Sequence, residues 1–267
     1  MHSILAVFAH PDDETSVGPM LARYAREGHA VYLVSVTSGQ KGVRPGFGIA
    51  PGDQLGAVRE QELRCACRQL GIHEPFLLRF QDQGIASPLV IEEVAAHLRE
   101  LVEQTCADVV VTWGPDGITG HIDHRVTGDV ATLVFQQQSL LRHKPRKLYY
   151  VVFPESRLSG MPEPLRRSRP FYTVSDVFIT TEVDCQDYVE AGIRAIECHK
   201  TQWGPERMKQ MKDMYTRVFG GHAFLRLALS SAPHSKGRET SILAGLDGTP
   251  CDPSWNEGVQ RGRSSVG

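Results

Sequence analysis

The sequence predicts an α/β protein with a Rossmann-like, mostly parallel sheet and helices on both of its faces. Short apolar runs recur along the chain, and segments with helical periodicity separate them. Most of the runs are continuous rather than alternating in polarity, which is typical of parallel strands covered on both sides. The chain has 267 residues, of which 41% are hydrophobic and 22% are charged, as in an ordinary soluble globular protein.

Strands and helices are predicted to alternate along the chain. The predicted strands, each rich in β-branched or other apolar side chains, are residues 4–9, 31–36, 76–80, 109–113, 148–153 and 177–181. The predicted helices are residues 17–27, 57–70, 89–104, 126–138, 188–200 and 208–219. Gly28 and Gly71 follow the first two helices, at the position where glycine commonly ends a helix. This alternation favours a doubly wound sheet of order 3-2-1-4-5, in which the first and fourth strands are neighbours.

Two segments lack regular patterning. Residues 38–54 are rich in glycine and follow the second predicted strand, so we expect a long loop that forms a wall or lid of a site. A plain surface loop is the alternative. Residues 247–267 are polar and rich in glycine and serine, and we expect a loosely ordered tail there. Residues 1–246 are expected to form a single domain, because no interdomain linker is visible between them.

Charge and cysteine content disfavour several classes of protein. Lys and Arg number 29 and Asp and Glu number 31, and the resulting net charge of −2 disfavours a nucleic-acid binder. No apolar run approaches the ~18 residues of a membrane span, and no Lys or Arg precedes the first apolar run, unlike in a signal peptide. We expect the six cysteines to be free thiols and the protein to be cytoplasmic.

The first cluster of reactive side chains comes directly after the first predicted strand, in the segment AHPDDE at residues 9–14. No glycine-rich fingerprint is present there, so a dinucleotide is disfavoured. Pro11 restricts His10 to extended geometry. Beyond the turn, His10 and Asp13 can converge on one point while Asp12 points elsewhere, so that one carboxylate binds a metal and the other moves protons. A helix N-terminus would also favour the acidic residues, but it does not explain the histidine.

The second cluster, GHIDH at residues 120–124, follows the fourth predicted strand. His121 and His124 lie three residues apart at a helix start and share a face, and Asp123 is available to fix a histidine tautomer. A surface helix start is the alternative. Both clusters fall at the carboxyl ends of neighbouring strands, where doubly wound sheets bind ligands. The pooled histidine and aspartate ligands predict an open, catalytic type of zinc site, and manganese or iron would accept the same ligands.

These two motifs, in this order, resemble those of the LmbE-like family. That family includes the N-acetylglucosaminylphosphatidylinositol de-N-acetylases and the deacetylases of mycothiol and bacillithiol synthesis. Further similarities are TSG at residues 37–39, REQELRCACRQLG at residues 59–71 and AIECHKTQ at residues 195–202, so the resemblance covers most of the chain. It implies a zinc-dependent hydrolase that removes an acetyl group from a GlcNAc-type amide.

The resemblance also implies roles for individual residues. The ligands of one Zn²⁺, with Mn²⁺ or Fe²⁺ as alternatives, would be His10, Asp13 and His124. Asp12 would be the general base that takes a proton from the metal-bound water. His121 would stabilise the oxyanion, and we expect it to do so as a protonated donor. Asp123 would orient a neighbouring histidine.

Other positions are open to two interpretations. Arg59 is predicted to contact a phosphate or sugar oxygen of the substrate, or else to pair with Glu62 on its own helix. His199 is expected either to take part in the site or to pack at the end of a helix. Ile122 and Thr119 stand where the family commonly has proline and, in some members, tyrosine, so a tyrosine-assisted step at residue 119 is in doubt.

We therefore expect metal-dependent hydrolysis of the N-acyl amide of a small amino-sugar substrate. We expect neither a nucleic-acid partner nor a membrane span. A homo-oligomer is compatible with the sequence. A deacylase of a non-sugar amide, such as an antibiotic or a lipopeptide, is one alternative. A catalytically silent sugar-binding protein of the same fold is another. Asp12 argues against the silent protein, because a binding module needs the metal ligands but not the spare carboxylate.

Overall fold

The computed structural model describes residues 1–44, 46–168 and 170–247. Within these residues seven strands form one sheet of order β3-β2-β1-β4-β5-β7-β6. The strands are β1 (Ser3–Phe8), β2 (Ala30–Thr37), β3 (Phe76–Phe80), β4 (Val109–Trp113), β5 (Lys147–Val151), β6 (Thr181–Asp184) and β7 (His222–Ser230). The helices are α1 (Gly18–Arg26), α2 (Asp53–Leu70), α3 (Pro88–Thr105), α4 (Ile122–Gln136), α5 (Glu163–Ser168), α6 (Val189–Cys198) and α7 (Pro205–Asp213).

The first five strands are parallel and have the predicted order. β1 lies at the centre, between β2 and β4, and every residue of β1 is buried. β2 pairs with β3, and β4 pairs with β5. The carboxyl ends of β1, β3 and β4 therefore lie along one edge of the sheet, and the chain carries polar residues away from each of them.

Helices cover both faces of the sheet, as predicted. On one face, Met20 and Leu21 of α1 and Leu63 of α2 pack on β1 and β4 in one apolar cluster. On the other face, Val94 of α3 and Val130 of α4 belong to a second cluster with the opposite side chains of the same strands. The side chains of β1 alternate between the two clusters, which is why its sequence is continuously apolar.

The carboxyl-terminal part of the sheet differs from the prediction. Residues 177–181 were expected to form a strand, but Val177 and Phe178 are exposed in a 3₁₀ turn, and the strand begins at Thr181. Strand β7 was not predicted at all. It runs antiparallel between β5 and β6, so its register is set by residues far away in the sequence.

The helix predicted at residues 208–219 begins earlier and changes form. Helix α7 starts at Pro205, a residue favoured in the first helical turn. It ends at Asp213, and the chain continues as a π-helix over Met214–Val218. The predicted tail at residues 247–267 lies, apart from Asp247, outside the described residues, so the division at residue 246 stays a prediction.

The expectation that all the cysteines are free thiols is wrong. Cys65 of α2 and Cys198 of α6 form a disulfide, with their Cα atoms 5.8 Å apart. The two residues are 133 positions apart in the sequence, and only the packing of α2 against α6 brings them together. Cys67 and Cys185 are free and buried. No helix in the described part of the chain is long and apolar enough to cross a membrane.

Candidate active site

The turn after β1 places the first cluster of polar residues at the edge of the sheet. The Asp13 carboxylate closes this turn, because its Oδ2 accepts the backbone N–H of Ala9 at 3.1 Å and of His10 at 3.0 Å. Asp12 lies at the tip with a φ of 105°, in the left-handed region that non-glycine residues rarely adopt. This conformation separates the two neighbouring carboxylates, so that Asp12 and Asp13 make different contacts.

Asp13 and His124 face each other through Asp13 Oδ1 and His124 Nε2. The other polar atom of each side chain is hydrogen bonded within the protein. Asp13 Oδ2 also accepts from Trp113 Nε1 at 3.3 Å, so this oxygen is fully engaged by the protein. The other oxygen, Oδ1, lies 3.1 Å from His124 Nε2. His124 Nδ1 donates to the carbonyl of Gly117 at 3.0 Å, which leaves the lone pair on Nε2. The Trp113 ring stacks on His124, with ring centroids 4.6 Å apart, and fixes the plane of the imidazole.

His10 is held by carboxylates on its far side. Its Nε2 lies 3.2 Å from Asp123 Oδ2 and 3.4 Å from Asp82 Oδ1, while its Nδ1 lies 3.6 Å from Asp13 Oδ2. Burial alone would lower the pKa of His10, but the hydrogen bonds to these carboxylates raise it well above the ordinary value. Burial opposes ionisation of Asp82, yet its contacts with His10 lower the pKa of Asp82 to about 2. With Nε2 facing Asp82 and Asp123, His10 directs Nδ1 towards the Asp13 carboxylate.

Two sets of side chains, both of which include His10, bring their ligand atoms within reach of one ion. The donor atoms of His10, His121 and His124 all lie within 4.8 Å of one another, as do those of His10, Asp82 and Asp123. His121 caps α4, and its Nδ1 accepts the backbone N–H of Asp123 at 3.2 Å. In a neutral ring, Nε2 of His121 then carries the proton and is a donor rather than a metal ligand.

Asp12 lies outside these two sets and forms a hydrogen-bonded ion pair with Arg59 of α2. Arg59 Nη2 donates to Asp12 Oδ1 at 2.8 Å and to the carbonyl of Pro11, and Nη1 donates to the carbonyls of Gly39 at 2.8 Å and Gly42 at 3.3 Å. Burial raises the pKa of Asp12, while the positive charge of Arg59 opposes the increase; the net direction is upward. A carboxylate with a raised pKa and no role in closing the turn is suited to proton transfer.

A buried ion pair lies beneath Asp12. Glu14 Oε2 accepts the backbone N–H of Asp12 at 3.0 Å, and Glu14 Oε1 accepts from His199 Nε2 at 2.6 Å. Burial lowers the pKa of His199, and the charge of Glu14 raises it; the net direction is upward. Glu62 of α2 in turn accepts from the backbone and hydroxyl of Thr201 at 2.8 and 2.6 Å. The segment after α6 is therefore tied to both the turn and α2.

These residues line a cleft of about 310 Å³. His10, Asp12, Asp13, Arg59, His121 and His124 all contribute to its wall, so the structure brings together all of these predicted site residues. Asp123 lies behind His10 and is fully buried. Gly42, from the loop predicted at residues 38–54, lines the cleft as expected for a wall of the site, whereas Asp53 and Gln54 already belong to α2.

Sequence reasoning missed several residues at the cleft. Asp82 follows β3, and the rule that placed the other two clusters at strand ends could have found it. Gln202 also lines the cleft, and its Nε2 donates to the carbonyl of Gly42 at 2.7 Å. The contact between Glu14 and His199 spans 185 positions and has no local signal. Arg59 was expected to contact substrate or to pair with Glu62; its hydrogen bonds within the protein are to Asp12 and the surrounding carbonyls, and contact with substrate stays a prediction.

Comparisons with known proteins agree with this geometry. Residues 5–135 match the family model described as GlcNAc-PI de-N-acetylase. A 1D-myo-inositol 2-acetamido-2-deoxy-alpha-D-glucopyranoside deacetylase from Saccharomonospora viridis is 36% identical over 275 residues, covering 91% of this chain and 100% of that protein.

Solved structures with similar folds are more distant in sequence. The N,N'-diacetylchitobiose deacetylase from Pyrococcus horikoshii has a TM-score of 0.66 and 19% identity, over 84% of this chain and 83% of that one. GalB, the 4-carboxy-2-hydroxymuconate hydratase from Pseudomonas putida, has a TM-score of 0.65 and 15% identity, over 88% of this chain and 99% of that one. The fold thus serves more than one kind of reaction, and the side chains at the site must decide the chemistry.

Proposed function

The chain belongs to the GlcNAc-PI de-N-acetylase (PIG-L, LmbE-like) family and is a metal-dependent deacetylase of N-acetyl amino sugars, and we propose how its own residues carry out the hydrolysis. One observation carries the proposal. The Asp13 carboxylate lies between the two histidines, with Oδ2 3.6 Å from His10 Nδ1 and Oδ1 3.1 Å from His124 Nε2. The opposite ring nitrogens of both histidines are hydrogen bonded to protein oxygens. The carboxylate of Asp12 lies beside them, outside the set.

These three side chains fit a single divalent ion. Two imidazole nitrogens and one carboxylate oxygen form the donor set of a catalytic zinc site, and both histidines have an oxygen acceptor on the opposite ring nitrogen. We propose zinc as the ion; manganese or iron would accept the same ligands. When bound, the ion would polarise the amide carbonyl and lower the pKa of a water molecule at the site.

Asp12 is proposed as the general base. Its side chain is 19% exposed at the cleft, so it can reach a water molecule, and Arg59 fixes its orientation. Asp12 takes a proton from the water molecule as the oxygen attacks the amide carbon. It then gives the proton to the amine nitrogen as the C–N bond breaks, leaving acetate and a free amine. The raised pKa of Asp12 makes its carboxylate a stronger base than that of an ordinary aspartate.

His121 is proposed to donate a hydrogen bond to the carbonyl oxygen as negative charge develops on it. Burial and the neighbouring His10 and His124 lower the pKa of His121. Together with the bond from the Asp123 N–H to Nδ1, this favours a neutral ring with the proton on Nε2. We therefore propose a neutral donor in place of the protonated one expected from the sequence. A neutral N–H can still stabilise the oxyanion.

Arg59 and Asp123 are proposed as positioning residues. Both Nη atoms of Arg59 are hydrogen bonded to the protein, so we assign it the task of holding Asp12, and contact with substrate stays a secondary expectation. Asp123 accepts from His10 and from the backbone N–H of Gln83 at 2.7 Å, which fits the expected role of orienting a histidine. A cytoplasmic location and self-association are also proposals, to be tested by cell fractionation and light scattering.

A panel of amides tests the proposed function. Zinc-loaded protein is mixed with N-acetyl amino sugars and N-acetylated peptides, and the free amine is measured, with Asp12→Asn as a control that keeps the shape of the site. We expect amine release from the amino sugars by the wild type alone. Release from peptides but not from sugars would favour the non-sugar deacylase, and no release from any amide would favour the silent sugar-binding protein.

A further inference from the structure

The cleft has a polar half and an apolar half. Asp12, Arg59 and Asp82 line the side next to the ends of β1, α2 and β3. The apolar half consists of residues from the β4–α4 loop, the segment after β5, α5, α7 and the π-helix with the residue after it, which share one hydrophobic cluster: Ile118, Phe153, Leu165, Met211, Met214 and Phe219. Among the described residues that line the cleft, none that follows His124 in the sequence carries a charge.

The apolar half is a packed wall rather than a set of scattered side chains. Phe153, Leu165 and Met214 are buried and belong to one hydrophobic cluster, against which Ile118 and Met211 pack. The rings of Phe153 and Phe219 lie 5.2 Å apart at a steep angle, as in an edge-to-face pair. The wall therefore exists before any ligand arrives, and a ligand does not have to order it.

This wall begins at the proposed metal ligands. Ile118 directly follows Gly117, whose carbonyl accepts from His124 Nδ1 at 3.0 Å. Asp12 and Arg59, paired at 2.8 Å, line the same cleft and do not belong to the apolar cluster. An amide whose carbonyl lies beside His124 and within reach of Asp12 has one substituent in each half of the cleft.

We propose that the apolar half holds the acyl chain of the scissile amide, so that the enzyme accepts amino sugars with N-acyl groups longer than acetyl. This rests on the proposed function, because it requires the amide to be hydrolysed at this centre. The hydroxyl groups of the sugar find partners in the polar half. In the apolar half they would lose their hydrogen bonds to water without replacement, which is unfavourable. A hydrocarbon chain has no such requirement there.

A series of N-acyl glucosamines tests the proposal directly. We measure kcat/KM of the zinc-loaded enzyme for the acetyl, butanoyl, hexanoyl and octanoyl amides. Burial of hydrocarbon predicts an increase of up to about fourfold per methylene group until the cavity is filled. A parallel series varies the aglycone instead, with methyl, butyl and octyl glycosides of N-acetylglucosamine. The proposal is overturned if acetyl is the best acyl group, or if only the length of the aglycone raises kcat/KM.

Two methionines of α7 provide a matched pair of variants. Both methionines pack against the cluster that contains Trp203, but Met211 also packs against the apolar wall and lines the cleft, whereas Met208, one turn earlier, does neither. Met211→Gln is expected to lower the ratio of octanoyl to acetyl kcat/KM at least about fivefold, on the scale of one or two buried methylene groups. Met208→Gln is expected to leave this ratio unchanged. Equal ratios in the two variants and the wild type would contradict the proposed acyl site.

Binding of the carboxylate products separates failure of this proposal from failure of the proposed function. Calorimetry measures the Kd of the zinc-loaded protein for acetate, butanoate, hexanoate and octanoate, and needs no turnover. We expect affinity to rise with chain length. If it rises while no amide is hydrolysed, the acyl site stands and the proposed function fails. If N-acetylglucosamine is hydrolysed while neither affinity nor kcat/KM rises with length, the proposed function stands and the acyl site is refuted.

Discussion

The ion pair between Glu14 and His199 is expected to hold the proposed base in its working position. Both side chains are buried, with exposed fractions of 1% and 0%. Glu14 joins the pair to Asp12, because its second oxygen accepts the Asp12 backbone N–H at 3.0 Å. The left-handed φ of 105° at Asp12 is unfavourable for a non-glycine residue by about 1–2 kcal/mol. The hydrogen bond that the Asp12 backbone N–H donates to Glu14 helps to offset this strain.

Glu14→Gln keeps the shape of the side chain and removes its charge. Removal of one partner of a buried pair destabilises a protein by about 3–5 kcal/mol, because the other partner is left without compensation. For a domain of this size each kcal/mol corresponds to about 2–4 °C, so the melting temperature is expected to fall by about 6–20 °C. We expect kcat to fall by about 10- to 100-fold as Asp12 shifts. Bound metal is expected to change little, because Glu14 is not one of the proposed ligands.

A double-mutant cycle checks this reasoning. Urea unfolding of Glu14→Gln, His199→Gln and the double variant is expected to show a coupling energy of at least about 1 kcal/mol. Because the pKa of His199 is raised in the folded protein, its contribution is complete below pH about 6.5 and is lost as pH rises through the raised pKa. The difference in the free energy of unfolding between the wild type and His199→Gln should therefore decrease as pH rises. Additive effects within about 0.5 kcal/mol, with unchanged kcat, would refute the positioning role.

Three further variants test individual roles at the cleft. Asp12→Asn is expected to retain metal and to lose kcat by about 10²–10⁴; turnover near that of the wild type would remove Asp12 from the role of base. His124→Ala is expected to lower the metal content found by elemental analysis, whereas the control His222→Ala, whose ring bonds the Gly220 carbonyl, should keep it; full occupancy in His124→Ala would contradict the ligand assignment. His121→Ala is expected to lower kcat by about 10²–10³ with KM and metal content little changed; a loss of metal would instead make His121 a ligand.

The parallel part of the fold was predictable because its signals are local. A continuous apolar run predicted a strand at residues 109–113, and the strand occupies those residues. Gly71 was expected to follow a helix, and it caps α2 in the left-handed conformation. These local signals did not predict the strands correctly where the pairing partners are distant in the sequence. Val177 and Phe178 have the composition of a strand, yet they are 82% and 54% exposed, because the edge strand that pairs with β7 begins only at Thr181.

The proposed ligands were visible in the sequence because two short motifs follow neighbouring strands. What the sequence did not show is the set of contacts that connects separate elements. Asp82 reaches His10 only because β3 lies two strands away in the same sheet. The pairing of Glu14 with His199 and the disulfide of Cys65 with Cys198 both depend on the packing of α6 against α2 and against the turn that follows β1. Such contacts arise from tertiary structure and leave no local periodicity.

The central claim is that hydrolysis depends on one metal ion held by His10, Asp13 and His124, with Asp12 left free to move protons. It is tested most directly by titrating metal-stripped protein with zinc while bound zinc and free amine from an N-acetyl amino sugar are both measured. We predict no turnover without metal, a rise in proportion to bound zinc up to one ion per chain, and no further rise. Metal-stripped protein that turns over as fast as the zinc-loaded protein would contradict the claim.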